Sequence, residues 1–206
     1  MPAFPRAIAS RLSTPPEFPE GFASWGQSGK GQFRSFENVG RIWTEIYPSW
    51  NYLTTEGRAL IRAINLARRE LTIWTIQHPH LIANYGAQGG SPLVDGASQA
   101  GDTILIDGAP ASTLNWLRDG DIILIAGSTL ILDVKADVDT DSAGDATIPI
   151  HPPIFTGGSP SNNAVVTIDA SAINFTAVLV GTQMPDIEAH GVVAAGMTLT
   201  WREQPS

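Results

Sequence analysis

Residues 137–154 read DVDTDSAGDATIPIHPPI. Asp137, Asp139 and Asp141 alternate, Gly144 and Asp145 follow, and the chain then alternates Ala146, Ile148 and Ile150 against Thr147 and Pro149. Two structures fit such a stretch: a calcium loop or the turn of a β-hairpin. An EF-hand loop needs carboxylates at positions 1, 3 and 5, a glycine at 6 and a glutamate at 12. Counted from Asp137, position 6 is Ser142 and position 12 is Ile148. The sharp turn and the bidentate ligand are both missing, and no helical pattern flanks the loop. A hairpin needs only Ala143-Gly144 to turn the chain between ILDVKADV and ATIPI. Asp137, Asp139 and Asp141 stay as the only metal-ligand candidates, without either feature. The hairpin reading leaves their carboxylates in solvent or facing basic side chains of a neighbouring subunit. Pro149 lacks an N–H, which marks ATIPI as an edge strand.

The pattern extends in both directions from this hairpin. DTILID, DIILIAG, TLILDV and AVVTID read as strands, with Gly127-Ser128 turning the middle pair. TLNWL is a short turn or helical piece. INFTAVLV puts Ile173, Phe175, Ala177 and Leu179 on one face. MTLTWREQ puts Met197, Leu199 and Trp201 on one face and Thr198, Thr200 and Arg202 on the other. Period-two patterning with frequent turn signals argues for an antiparallel barrel or sandwich.

The first half is different. Residues 1–24 hold five of the fifteen prolines and read as an extended arm. SWGQSGKGQ reads as a loop. It is not a phosphate-binding loop, because Ser24 stands where the first glycine would be and Gly31 follows Lys30. The runs on either side of Asn38-Val39-Gly40 read as a hairpin. Residues 54–69 form the one clear helix. Thr54 or Thr55 caps it, Glu56 lies in the first turn, and Arg68 and Arg69 lie in the last. Leu60, Ile64 and Ala67, widened by Ile61 and Ala63, make its apolar stripe. LTIWTIQ then returns as a strand.

The fold class expected is mainly β: an antiparallel β-barrel or sandwich with one packed α-helix and a second small β subdomain. The expected boundaries are an arm over 1–24, a hairpin, helix and strand subdomain over 25–80, a connecting loop over 81–101 and the barrel or sandwich over 102–206.

The charge is as uneven as the patterning. The chain has 206 residues and a net charge of −8. Residues 1–80 carry nine Lys/Arg against six Asp/Glu, and residues 81–206 carry three against fourteen. An acidic chain repels nucleic-acid phosphates. There are no cysteines, which excludes disulfides, thiolate nucleophiles and Cys-ligated metals. No run approaches the ~20 apolar residues of a membrane-spanning helix. The start, MPAFPRAIASRLS, lacks the apolar core of a signal peptide. A soluble protein made in a reducing compartment is expected.

Catalytic constellations are not legible. There is no Gly-x-Ser-x-Gly elbow and no Ser-x-x-Lys pair. Of the histidines, His78 and His80 are splayed by Pro79, and His151 and His190 stand apart. No catalytic residue, cofactor or enzyme activity is expected. Trp43, Trp50, Trp74, Trp116 and Trp201 lie in or beside strand patterns and belong to cores. Trp25, in the Gly/Ser loop, is free to anchor a contact between subunits. With Trp25, the subunit-interface candidates are Arg34, Arg41, Asp139, Asp141 and Pro149.

The segment from about residue 93 to 154 resembles part of the minor tail proteins of tailed bacteriophages, and specifically distal tail proteins of long non-contractile tails. The shared pattern is Leu-x-x-Gly-Asp (Leu117 to Asp121), a strand pair, Asp-Val-x-x-Asp-x-x-Gly-x-Ala-x-Ile (Asp137 to Ile148) and Pro-Pro-Ile (Pro152 to Ile154). The likeness is weaker over GQFRSFENVGRIWTEIYP, the helix and TLTWREQ. It implies a virion structural protein at the tail tip, present in the host cytoplasm during assembly. It implies a ring of six copies joining the tail tube protein to hub and fibre proteins, with neither nucleic acid nor membrane bound. It supplies no catalytic residues. No stretch of these 206 residues reads as the long carbohydrate-binding-like domain of some such proteins, so direct receptor binding is not expected. A head–tail connector, a tail-terminator ring and a free-standing carbohydrate- or protein-binding β-module are the other readings.

Overall fold

The computed structural model describes residues 3–5, 12–13, 22–25, 31–34, 41–51, 53–77, 83–128, 131–183, 186–187 and 193–204. In chain order the elements are β1 (Leu12–Ser13), β2 (Phe22–Trp25), β3 (Gly31–Arg34), β4 (Ile42–Asn51), α1 (Thr55–Glu70), β5 (Trp74–Ile76), β6 (Leu93–Val94), β7 (Gly101–Asp107), β8 (Ile122–Ile125), β9 (Ile131–Val134), β10 (Ala146–Ile154), β11 (Val166–Thr167), β12 (Phe175–Gln183), β13 (Asp186–Ile187) and β14 (Val193–Glu203). The fold is mainly β, as the patterning implies, with one nearly closed barrel, one half-barrel and one helix.

The chain divides into two compact units, and not where the sequence suggests. Unit 1 is Met1–His80 together with Phe175–Pro205, and unit 2 is Leu81–Asn174. The closing strands β12 and β14 therefore do not belong to the barrel expected over 102–206. They pair with β5 and β4, in the order β1-β4-β14-β12-β5, with β13 beside β14. The reason is face matching over a long sequence separation. β4 turns Trp43, Glu45 and Tyr47 inward, β14 turns Met197, Leu199, Trp201 and Glu203 inward, and all seven are buried. Trp201 lies opposite Trp43 in the register.

The helix follows its sequence signals. The Thr54 side chain accepts from the Gly57 N–H at 3.0 Å, Arg68 and Arg69 sit in the last turn, and Leu71 ends it in a left-handed conformation. Leu60, Ala63, Ile64 and Ala67 are buried, with Gly57, and the helix packs against β12. On β12 the buried residues are Phe175, Ala177 and Leu179, as the alternation implies.

One expectation for the first half changes. β3 pairs with β2, while β4 pairs with β1 and β14, so the two runs around Asn38-Val39-Gly40 are not partners; residues 35–40 lie outside the described residues. The described parts of the arm are tied to their own unit. Phe4 is 5% exposed and meets Trp74 and Trp201 edge-on at 5.3 and 4.7 Å. Leu12–Ser13 pairs with Glu45–Ile46 of β4.

Unit 2 is a six-stranded sheet in the order β11-β8-β9-β10-β7-β6. Its two ends nearly meet. The Val94 N–H donates to the Ala164 carbonyl, and the Asn163 and Val166 N–H groups donate to Val94 and Pro92, all at 2.9 Å. Closure removes the sheet edges that would otherwise offer unpaired N–H groups. Inside lie Ile104, Ile106, Trp116, Leu117, Ile123, Ile148 and Ile150.

β10 is thus a central strand, not an edge. It pairs with β7 on one side and β9 on the other. Pro149 is tolerated because N–H and C=O of a strand residue point the same way. Its carbonyl accepts from Lys135, one residue beyond the end of β9, so the missing donor falls where that ladder has stopped. The β10–β7 register shifts just past it.

Candidate functional site

The aspartate segment lies alongside residues 112–119. Leu117 and Val138 form an isolated antiparallel bridge, and Thr140 and Thr113 exchange a backbone bond of 3.0 Å and a side-chain bond of 2.9 Å. Ser112 and Asn115 have φ of 51° and 49°. Left-handed residues turn their N–H groups out of any regular ladder, and these donors need acceptors. Ser112 N donates to the Asp141 backbone carbonyl at 2.6 Å, and acid side chains take the donors that follow. Asp139 Oδ1 accepts from Asn115 N at 2.6 Å, and Asp137 Oδ1 accepts from Asp119 N at 3.1 Å. Asp141 Oδ1 accepts from Ala143 N and Asp145 N at 2.8 and 2.9 Å, closing its own turn.

The three candidate metal ligands are thus committed to separate backbone donors. Among the described residues no group of three or more His, Asp or Glu is placed to hold a metal ion. His151 lies on β10, and His78, His80 and His190 lie outside the described residues. The carboxylates of Asp139 and Asp141 are not simply solvated, as the sequence suggests: that of Asp139, with that of Asp137, staples two loops, and that of Asp141 closes its own turn.

Gly144 completes the turn with φ of 88°, and a Cβ there would lie 2.2 Å from the Ala109 carbonyl oxygen. We expect Gly144→Ala to destabilise the protein by about 2–3 kcal/mol, from backbone strain plus a clash with main chain. A urea titration measures it, and a cost below about 0.5 kcal/mol would contradict the packing described.

The acids around this turn differ in titration. Backbone hydrogen bonds from Asp145 and Ala143 hold the Asp141 carboxyl below the usual carboxylate range. The Asp145 carboxyl is raised, first by partial shielding from water and then by the like charges of Asp141, Asp95 and Asp107. A raised folded-state pKa means the ionised form is disfavoured by folding. The benefit of protonated Asp145 is present below its unfolded pKa and lost as pH rises through the folded one. Asp145→Asn should therefore raise the melting temperature at neutral pH, with the gain shrinking as pH falls through the folded-state pKa and gone below about pH 4, the unfolded value. Equal shifts at both pH values would rule out this origin.

The polar groups that organise the two units are not legible in the sequence. Asp121, 1% exposed, opens β8. Its Oδ1 accepts from Tyr85 N at 2.6 Å, and its Oδ2 from Gly86 N at 3.0 Å and Arg118 N at 2.8 Å. Beside it, the Asn84 amide bonds like a strand residue, donating to Ile122 O and Ile168 O and accepting from Ile122 N at 3.0 Å. The only signal is the Leu-x-x-Gly-Asp step just before an apolar strand.

In unit 1, Arg41 is 2% exposed and binds Glu203 of β14 through its backbone N–H at 3.0 Å and Nη1 at 3.1 Å. Glu45, fully buried, accepts from the Tyr47 hydroxyl at 2.9 Å and Trp201 Nε1 at 3.3 Å. Arg41 is accordingly a core residue and not an interface cation. A guanidinium on a β-rich edge signals nothing about burial until its carboxylate is placed, 162 residues away. Trp25 and Arg34 end β2 and β3, and their side chains lie outside the described residues. Pro149 is half-buried within the sheet.

The two units differ sharply in charge. Unit 2 carries eleven Asp and no Glu against Arg118 and Lys135, a net of −9, and unit 1 carries ten Lys/Arg against nine Asp/Glu, a net of +1. On α1, Arg58, Arg62, Arg68 and Arg69 are exposed. Arg69 pairs with Glu70 at 2.6 Å. Comparison with known protein families and with curated proteins found no match for this chain.

Proposed function

We propose that the chain is a structural component of a bacteriophage tail: a distal tail protein whose copies close into a ring of six between tail tube and tail-tip hub. The observation that carries this reading is the division of charge between two units of one chain. A closed ring needs two different, complementary patches on every copy. A unit of net −9 and a unit of net +1 whose helix displays four arginines supply such patches.

The tail-protein motifs support the reading through their structural duties. Leu117 is buried and bridged to Val138, Asp121 caps three N–H groups, Gly144 allows the close approach to Ala109, and Ile148 is in the core. The motif residues build a barrel and its stapled loop, which suits a scaffold. Negative-stain images of the purified chain test the proposal. Rings with an open centre are expected, and a uniform field of single small particles at micromolar concentration would argue against it.

A further inference from the structure

The face of α1 turned away from β12 bounds a groove of about 710 Å³. Its floor is Leu53, Ile61 and Leu66, and Arg58, Arg62 and Arg69 stand around it. Arg58 and Arg62 are one turn apart and have no ion-pair partner among the described residues. Like charges at this spacing destabilise a helix by a few tenths of a kcal/mol. Apolar floor and cationic rim together fit a partner that is acidic around an apolar centre.

That chemistry exists on unit 2. Asp95, Asp119 and Asp145 are exposed, and among the described residues none of these side chains accepts from a backbone N–H. Asp119 and Asp145 lie on the stapled loops, Asp95 is close enough for its charge to act on Asp145, and Leu114, 73% exposed, belongs to the same 112–119 segment. We infer that the α1 groove seats the acidic loop ridge of unit 2 from a second copy of this chain. The inference rests on the ring reading and specifies its interface. A second copy is favoured over a foreign polyanion because the ridge is present at the same concentration as the groove. A nucleic acid would also meet the repulsion of a chain of net −8. Contact would bring guanidinium groups to Asp145, where carboxylates now crowd one another.

A charge swap tests this with the full chain. Arg58→Glu/Arg62→Glu should abolish self-association, and so should Asp95→Lys/Asp145→Lys. Helix stability changes little in the first variant, since it exchanges one like-charge pair for another and puts the carboxylate at position 58 near the positive end of the helix dipole. In an equimolar mixture each damaged patch meets an oppositely altered one, so assembly should return, read by native mass. Association should also weaken about tenfold or more between roughly 0.05 and 0.5 M salt.

Assembly of Arg58→Glu/Arg62→Glu as strong as the parent's would overturn this inference and leave the ring reading standing. Failure of the mixture to reassemble would overturn the choice of the acidic ridge. A melting temperature of Arg58→Glu/Arg62→Glu several degrees below the parent's, at a salt concentration where both are monomeric, would place the occupant within the chain itself, overturning the inference. A parent chain that stays monomeric at all salts and concentrations would defeat both.

Discussion

Glu203→Ala should destabilise unit 1 by about 3–5 kcal/mol, the range for breaking a buried ion pair from one side. Glu203 is 1% exposed and Arg41 2%. The carboxylate serves both the Arg41 backbone N–H and its guanidinium, which also lies 5.8 Å from the Phe175 ring centre. Removing it leaves a cation in a site built around an anion. The pair also clamps β14 to the residue preceding β4, since Glu203 N donates to Arg41 O at 2.8 Å. Replacing both partners by apolar residues, as in Arg41→Met/Glu203→Leu, should cost less than the single change, because no charge then stays buried. Tryptophan fluorescence in urea reads this cleanly: unit 2 contains Trp116 and the other five tryptophans belong to unit 1. A double variant less stable than the single would refute the argument.

Asp121→Ala should cost about 4 kcal/mol in unit 2. Three backbone donors, on Tyr85, Gly86 and Arg118, lose a charged acceptor. Hydrogen bonds to charged groups contribute ~1.5–3 kcal/mol each, and their losses overlap at one side chain. No shift of the chain restores them easily. Gly86 sits so close that a Cβ would lie 2.3 Å from the Trp116 carbonyl oxygen, and Trp116 itself donates from Nε1 to Gly89 O at 3.2 Å. Hydrogen exchange should show the 84–89 and 116–121 amides losing protection together, while unit 1 keeps its own. Loss confined to residue 121 would mean the carboxylate organises nothing beyond itself.

These two sites show what a sequence conceals. Local signals carry far: Thr54 as cap, the apolar stripe of α1, and the inward faces of β12 and β14 all follow from periods of 3.6 and 2.0, which need only a short window. Partnership does not. Nothing in TLTWREQ says that it pairs with IWTEIY rather than with TLILDV, and so the sequence alone puts the closing strands in the wrong unit. ATIPI looks like an edge because one proline removes one donor. Whether that matters depends on where β9 ends, which alternation does not encode. The aspartates show that the loop is acidic and turning. Their acceptor role depends on N–H groups 18 and 24 residues upstream, one of them on a left-handed residue. The interaction surface is half legible. The charge asymmetry is plain, but burial decides which charges reach the surface, and it removes Arg41 from the candidates. Of the arginines of α1, Arg68 and Arg69 read from sequence only as partners of the helix dipole, and Arg58 and Arg62 carry no signal of their own.

Native mass of the purified full chain at low salt is the most direct test of the assembly account. A species near six times 21.9 kDa, about 131 kDa, that falls apart as salt is raised is the expected result. A single 21.9 kDa species across all concentrations and salts would contradict it.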